Sequence, residues 1–279
     1  MAEPAMLRAS VPGSINYLQA MSVRPAFYAH DFSRDNLKLD ARTVEIRDAR
    51  AAREAPSLAR EGFTIAGHPT AVSDFDDRNQ VHEIYLREAQ QLLLEVTGAK
   101  RVVMTPGAVA RYGEKSTRYR TSFNSRPARF THVDYTERSA PVLMKSLLEK
   151  AAPDFVPRGR YAGYNVWRVL SDPPQDVPLA ICDARSVEAG DLVPGDAIFD
   201  APGAAQWSFE AYLFRYNPAH RWSYYSNMRR DEALVFKAYD SDPGQPQRVP
   251  HCAFDDPTCP PDVAPRASIE VRGYAFFED

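Results

Sequence analysis

The sequence predicts a mainly β protein with flanking helices, built as a sandwich or jelly roll, and three observations carry that prediction. Proline is in excess at 23 of 279 residues, roughly 8% against an average near 5%. Because proline is excluded from helix interiors and central strands, such a chain is rich in loops between short elements. From about residue 115 onward, short runs of apolar and aromatic residues are split by Pro, Gly, Asp and Asn, the rhythm of strands in a sandwich or jelly roll. The last run, Ser268 to Phe277, sets Ile269, Val271 and Ala275 against Glu270, Arg272 and Tyr274, the two-residue period of a strand.

Taken in order, residues 1 to 80 read as irregular. Short extended pieces such as Thr43-Val44-Glu45-Ile46 lie between loops carrying Pro25, Pro56 and Pro69. A helix follows over Asp77 to Thr97: Val81, Ile84, Tyr85, Leu92, Leu93 and Val96 recur at helical spacing, and Gly98 is a natural stop. Arg101 to Met104 reads as a strand. Ser139 to Ala151 reads as a short helix, with Ser139 as N-cap and Pro141 near its start. The remaining strands are placed at Asn165 to Leu170, Leu179 to Asp183, Trp207 to Tyr216, Arg221 to Tyr225, Ala233 to Tyr239 and Ser268 to Phe277. The expected organisation is a single domain over 1–279, with an N-terminal helix and loop region (1–114) packed on a jelly-roll core (115–279).

Composition narrows the function classes. Hydrophobic content is 44% and charged content 25%, ordinary for a globular chain. The net charge is −3 and the basic residues are scattered, so no stripe fit for a phosphate backbone is present. No run of 18 apolar residues suggests a membrane span, and the first residues lack the pattern of a signal peptide. The three cysteines, Cys182, Cys252 and Cys259, are too few for a disulfide framework. A cytoplasmic location is expected.

The chemistry is carried by Phe130-Thr131-His132-Val133-Asp134-Tyr135-Thr136. On a strand, residues two apart share a face. His132 and Asp134 would therefore project together while Val133 packs on the other side. A third ligand is expected from His251, in Val249-Pro250-His251-Cys252. Two histidines and one carboxylate occupy one face of an Fe(II) octahedron and leave three positions for cosubstrate and O₂. Downstream, Arg266 and Ser268 are again two apart. An arginine there can grip the distal carboxylate of 2-oxoglutarate through two charge-assisted hydrogen bonds, and the serine hydroxyl can add a third. Arg168 is a second candidate for a carboxylate, weighed against a strand arginine paired to an acid. Tyr224 can reach the cosubstrate or serve as a core tyrosine. Asn124 and Arg126 are candidate pocket residues. His68, His82 and His220 read as structural or exposed, and Cys252 as core packing.

These residues resemble a family, the CmcJ/NvfI-type oxidoreductases, which includes AsaB-type hydroxylases/desaturases and gibberellin desaturase-like enzymes of secondary metabolism. The resemblance runs from about residue 60 to the C-terminus. It rests on Arg126-Pro127-Ala128 leading into His132-Val133-Asp134; Asn165-Val166-Trp167-Arg168; Pro178 to Asp183; Asn217 to Trp222; Asp231 to Lys237; Tyr239-Asp240-Ser241; and Arg266 to Arg272. It implies a double-stranded β-helix (jelly roll) fold, Fe(II) and 2-oxoglutarate as cofactors with O₂ as cosubstrate, and hydroxylation or desaturation of a small natural product. Val169, Ser223 and Ala267 depart from the family's usual Pro, Tyr and Glu; none is a proposed ligand. A homodimer or a partner enzyme stays open, as do two rival readings: a zinc-dependent hydrolase or lyase on the same fold, since the same three ligands bind Zn²⁺, and a non-catalytic accessory protein.

Overall fold

In the structure, a computed structural model, residues 9–121 and 125–278 are described. Two β-sheets face each other in a jelly roll. The larger has nine strands. In spatial order they are β1 (Ser10–Leu18), β3 (Leu39–Asp48), β11 (Trp222–Tyr224), β8 (Leu179–Cys182), β13 (His251–Ala253), β6 (His132–Val133), β10 (Trp207–Phe214), β9 (Leu192–Phe199) and β2 (Ala26–Tyr28). The smaller has five, in the order β4 (Phe63–Gly67), β12 (Glu232–Asp240), β7 (Tyr161–Val169), β14 (Ala267–Phe276) and β5 (Arg101–Tyr112).

The three central strands of the small sheet, β12, β7 and β14, are buried on both faces. The sheet's outer face is covered by α2 (Leu86–Thr97), which lays Ala89, Leu92 and Leu93 on Val166, Val235, Ile269, Val271 and Ala275. Each such leucine contributes about 1.5–3 kcal/mol when fully buried. The inner face sets Trp167, Val169, Leu234 and Phe236 against Leu179 and Ile181 of the large sheet. Strands buried on both sides read as continuous apolar runs, which is why Leu234 to Phe236 is so clear in the sequence. The alternation along β14 is real, but its polar face is not the solvent face. Ser268 and Glu270 are buried and lie on the side opposite the helix-packed Ile269 and Val271, facing the space between the sheets.

The helix expected over Asp77 to Thr97 is present as α1 (Arg78–Gln80), a π-helical stretch over Val81–Tyr85, and α2. Asp77 caps it by accepting from the Asn79 and Gln80 N–H groups, and Gly98 ends it at φ 68°, a left-handed conformation that glycine adopts without strain. Helix α3 (Ser139–Ala151) spans the expected residues, but its capping hydroxyl belongs to Thr136, which accepts from the N–H groups of Arg138 and Ser139.

The N-terminal region is where the reading needs correction. It is not an irregular layer laid on a C-terminal core: β1, β2 and β3 belong to the large sheet, and β4 and β5 to the small one. β1 carries Pro12 and Gly13, which mask it as a strand. Pro12 is tolerated because β1 is an edge strand, and Gly13 is needed because a Cβ there would meet Ile46 Cδ1 at 2.4 Å. Strand β9 was hidden by Pro194 and Gly195 for related reasons. β2 pairs only with Asp196 to Ile198, so Pro194 lies where that side is open, and Gly195 sits against Leu213 and the Pro25 carbonyl.

Candidate metal centre and active site

The two histidines of the site are a directly opposed cross-strand pair: His251 on β13 faces His132 on β6, with ring centroids 4.3 Å apart. Asp134 follows β6 immediately, and the candidate ligand atoms of His132, Asp134 and His251 all lie within 4.8 Å of one another. All three residues are buried. Each imidazole has its Nδ1 on a backbone carbonyl, His132 on Phe130 at 3.0 Å and His251 on Val249 at 3.2 Å. A carbonyl only accepts, so Nδ1 carries the proton and Nε2 keeps its lone pair. Burial, and for His132 the neighbouring His251, lowers both imidazole pKa values, His132 to about 3. Both rings are therefore neutral at neutral pH.

Asp134 is the anionic member. Burial pushes its carboxyl pKa up, but the charge of Arg272 and the hydrogen bond from the Asn165 amide help hold it well below the usual carboxylate range. Its Oδ2 accepts from Asn165 Nδ2 at 2.6 Å and its Oδ1 is paired with Arg272 Nη2 at 3.0 Å. Arg272 also holds Glu270 at 2.5 Å. Two neutral imidazoles with exposed lone pairs and an ionised carboxylate are the donor set of a 2-His-1-carboxylate metal site.

At the start of β14 lie buried donors with nothing to bind. Arg266 is 1% exposed, and its Nε and Nη2 have no hydrogen-bond partner; the buried Ser268 hydroxyl has none either. Such orphans are rare and costly in native interiors. Burial, then the charges of Arg111 and Arg129, push the Arg266 pKa down to about 9, so it stays cationic at neutral pH. Its guanidinium lies 5.8 Å from the Trp167 ring, which belongs to the same inter-sheet cluster as Phe236; Phe236 in turn touches His251, with centroids 4.6 Å apart. A buried cation and a hydroxyl, both unpartnered, suit a carboxylate ligand.

Two expected cofactor contacts lie elsewhere. Arg168 is opposite Ile269, on the helix side of the small sheet. Its guanidinium donates to the carbonyls of His68 and Arg230 and contacts His68 Nδ1 and the Tyr85 ring. It is a tether between the sheet and the segments above it. Arg168→Met is therefore expected to cost about 1–3 kcal/mol, the penalty for stranded acceptors, with no change in affinity for 2-oxoglutarate; chemical denaturation and a cosubstrate titration check the two halves. Tyr224 packs edge-to-face on Phe254 in the cluster with Ile46, Cys182 and Cys252. That is the face of the large sheet opposite His251, because Cys252 follows His251 on the same strand.

The structural readings of the other residues hold in their geometry. His220 is bonded to Asp191 and Tyr17, His82 lies on the surface beside Glu83, and Cys252 is a buried free thiol. Asn124 lies outside the described residues. Arg126 does line the pocket, with its guanidinium 3.5 Å above the Phe32 ring and paired to Asp35 at 2.6 Å.

Asn165, Glu270, Arg272 and Arg111 had been given no role from sequence. The signal for most of them was present: Arg266, Ser268, Glu270 and Arg272 form one polar face at a two-residue period in a strand otherwise made for burial. Arg111 is directly opposite Ser268 on β5 and shares that face. A pocket opens onto His132, Asp134, Arg111 and Arg272, and the rest of its lining is largely aromatic: Phe27, Tyr28, Phe32, Phe130, Phe199 and Phe209.

Known proteins resemble the chain over most of its length. The family described as "Oxidoreductase/YMDC permease-like domain" matches residues 15–276. The Fe(II)/2-oxoglutarate-dependent dioxygenase nvfI of Aspergillus novofumigatus is 32% identical over 238 residues, 84% of this chain and 82% of that protein. The chain belongs to the NvfI-type Fe(II)/2-oxoglutarate-dependent oxidoreductase family. Another relative is the hydroxylase/desaturase efuI of Hormonema carpetanum, 30% identical over 260 residues, 87% of this chain and 86% of that protein. The solved structure of the iron and alpha-ketoglutarate-dependent endoperoxidase NvfI superposes with a TM-score of 0.82 at 27% identity, covering 98% of this chain and 100% of that one. Among the described residues, no helix is long and apolar enough to cross a membrane.

Proposed function

We propose that this NvfI-type enzyme oxidises a C–H bond of a small, largely apolar natural product, with Fe(II) held by His132, Asp134 and His251 and the distal carboxylate of 2-oxoglutarate held by Arg266 and Ser268. The enzyme is an Fe(II)/2-oxoglutarate-dependent dioxygenase of the hydroxylase/desaturase type, and its substrate is a small molecule. The observation that carries the site assignment is the orphaned pair at the start of β14, Arg266 just before it and Ser268 within it. A zinc hydrolase or lyase has no use for a buried arginine and serine left without hydrogen-bond partners in the core between the sheets. A 2-oxoglutarate enzyme needs them, because burial of the cosubstrate's distal carboxylate demands a charged, multidentate partner.

Bound together, Fe(II) and 2-oxoglutarate supply with O₂ an oxidant able to remove hydrogen from an unactivated C–H bond. The protein's part is placement. His132 and His251 present Nε2, Asp134 presents its carboxylate, and Arg266 with Ser268 fixes the far end of the cosubstrate. The aromatic wall excludes water and holds an apolar body against the triad. A cytoplasmic location fits the three cysteines, which are free, and the chain is proposed to work as one oxygenase domain.

Anaerobic titration of metal-free protein with Fe(II) and 2-oxoglutarate tests this. A weak visible charge-transfer band that needs both components is expected. If Fe(II) or Zn²⁺ binds and 2-oxoglutarate produces no band, the triad is a metal site of another kind, and the hydrolase or accessory reading takes its place.

A further inference from the structure

The Asp134 carboxylate is gripped by the opposite sheet. It leaves the large sheet at the end of β6, whereas the two side chains that hold it, Asn165 by a hydrogen bond and Arg272 by an ion pair, are directly opposed residues on β7 and β14 of the small sheet. The site is thus two cross-strand pairs facing one another, His132 with His251 and Asn165 with Arg272, and the carboxylate spans between them. Asn165 is fully buried. Its contact atom must be the amide nitrogen, because an ionised carboxylate only accepts. Its Oδ1 is left buried with no partner. An asparagine in the middle of a fully buried strand is costly unless its amide does something there. Packing would be served better by a leucine of similar size.

We propose that Asn165 and Arg272 are positioning residues that lock the Asp134 carboxylate in one orientation for the metal. This rests on the reading of Asp134 as a metal ligand. Oδ2 has one lone-pair direction taken by the Asn165 amide, and Oδ1 is held by its ion pair with the Arg272 guanidinium. Rotation of the carboxylate about its Cβ–Cγ bond would break the amide hydrogen bond and disturb the ion pair together. Arg272 is itself fixed by Glu270, so its charge stays at the carboxylate whether or not a metal is bound. β14 also carries Ser268, with Arg266 immediately before it, so one strand places both the Arg272 partner of the carboxylate and the proposed cosubstrate grip. Outer partners of metal ligands govern affinity in this way, typically by 10- to 100-fold.

The test is metal binding to the purified metal-free chain carrying Asn165→Leu. Fe(II) is titrated anaerobically, and Co(II) is used separately as a spectroscopic probe whose visible bands report coordination. The expected result is Fe(II) affinity weaker by roughly 10- to 100-fold and a changed Co(II) spectrum, as the released carboxylate oxygen swings toward the ion. Arg272→Lys keeps the charge but loses the planar fork, and it should shift the Co(II) spectrum in the same sense. Wild-type Fe(II) affinity with a wild-type Co(II) spectrum in folded Asn165→Leu would overturn the proposal, even if its melting temperature drops, because a purely structural asparagine moves only the latter. Should Asn165→Leu not fold, Asn165→Ser, which fits the same space and is too short to span to the carboxylate, carries the same expectation. Failure of wild-type protein to bind Fe(II) at all would instead strike at the metal reading of the triad.

Discussion

Asp134→Ala is expected to reduce Fe(II)-dependent consumption of 2-oxoglutarate to the uncatalysed background in a protein that still folds, and His132→Ala to do the same. Loss of activity follows from coordination. With one ligand gone, two remaining groups cannot define a face of the octahedron. Survival of the fold follows from the charges around Asp134. Arg272 is shared between Asp134 and Glu270, at 3.0 and 2.5 Å, so removal of Asp134 leaves the arginine paired rather than buried alone, which would be the destabilising case. His132 is neutral, so its truncation strands no charge. A second signature separates lost coordination from lost structure. A metal that binds only the folded state raises stability by about 2.7 kcal/mol at 100 times its dissociation constant. Fe(II) should therefore raise the melting temperature of the wild-type chain and leave both variants unmoved. Normal turnover in both variants would remove the triad assignment.

The triad was legible because its chemistry is local in sequence. His132 and Asp134 are two apart, and the period of a strand predicts their common face without knowledge of the fold. His251 could be named because it stands on a short apolar piece downstream. Asn165 was not legible. Nothing in Asn165-Val166-Trp167-Arg168 says which face the asparagine takes or that a carboxylate from the other sheet arrives 2.6 Å away; that contact is made by topology. Arg168 and Tyr224 failed for the same reason in reverse. Each has suitable chemistry, and each stands one residue out of phase with the inner face of its sheet. A period-two pattern gives relative orientation along a strand, and only the packed structure says which side is the inside. The fold class was read from β-rich spacing after residue 115, while β1 and β9 were hidden by Pro12, Gly13, Pro194 and Gly195. Those residues are allowed there by edge positions and close backbone contacts that exist only once the sheets have formed.

Arg266→Met is expected to act in opposite directions on function and stability. For function, the arginine supplies charge-assisted hydrogen bonds worth about 1.5–3 kcal/mol each. Loss of two of them raises the dissociation constant for 2-oxoglutarate by roughly 10²-fold or more, while Fe(II) affinity stays as in the wild type because no triad contact is touched. For stability, the ligand-free protein carries a fully buried guanidinium whose Nε and Nη2 bond to nothing. Each unsatisfied buried donor costs about 1–3 kcal/mol, and a methionine of similar length removes that cost while filling the space against Trp167. The metal-free, cosubstrate-free variant should therefore melt higher than the wild type. In the wild type, 2-oxoglutarate added with Fe(II) should raise the melting temperature, and that gain should vanish in Arg266→Met. Arg168→Met provides the contrast, since its guanidinium is already engaged by two carbonyls and an imidazole, so its loss destabilises and leaves the cosubstrate response intact. A higher melting temperature together with lost cosubstrate affinity is what a residue held for binding rather than for folding produces. An Arg266→Met protein that is less stable than wild type and binds 2-oxoglutarate normally would mean that the guanidinium serves the core and that the cosubstrate carboxylate is held elsewhere, with Arg111, opposite Ser268 on β5, the first place to look.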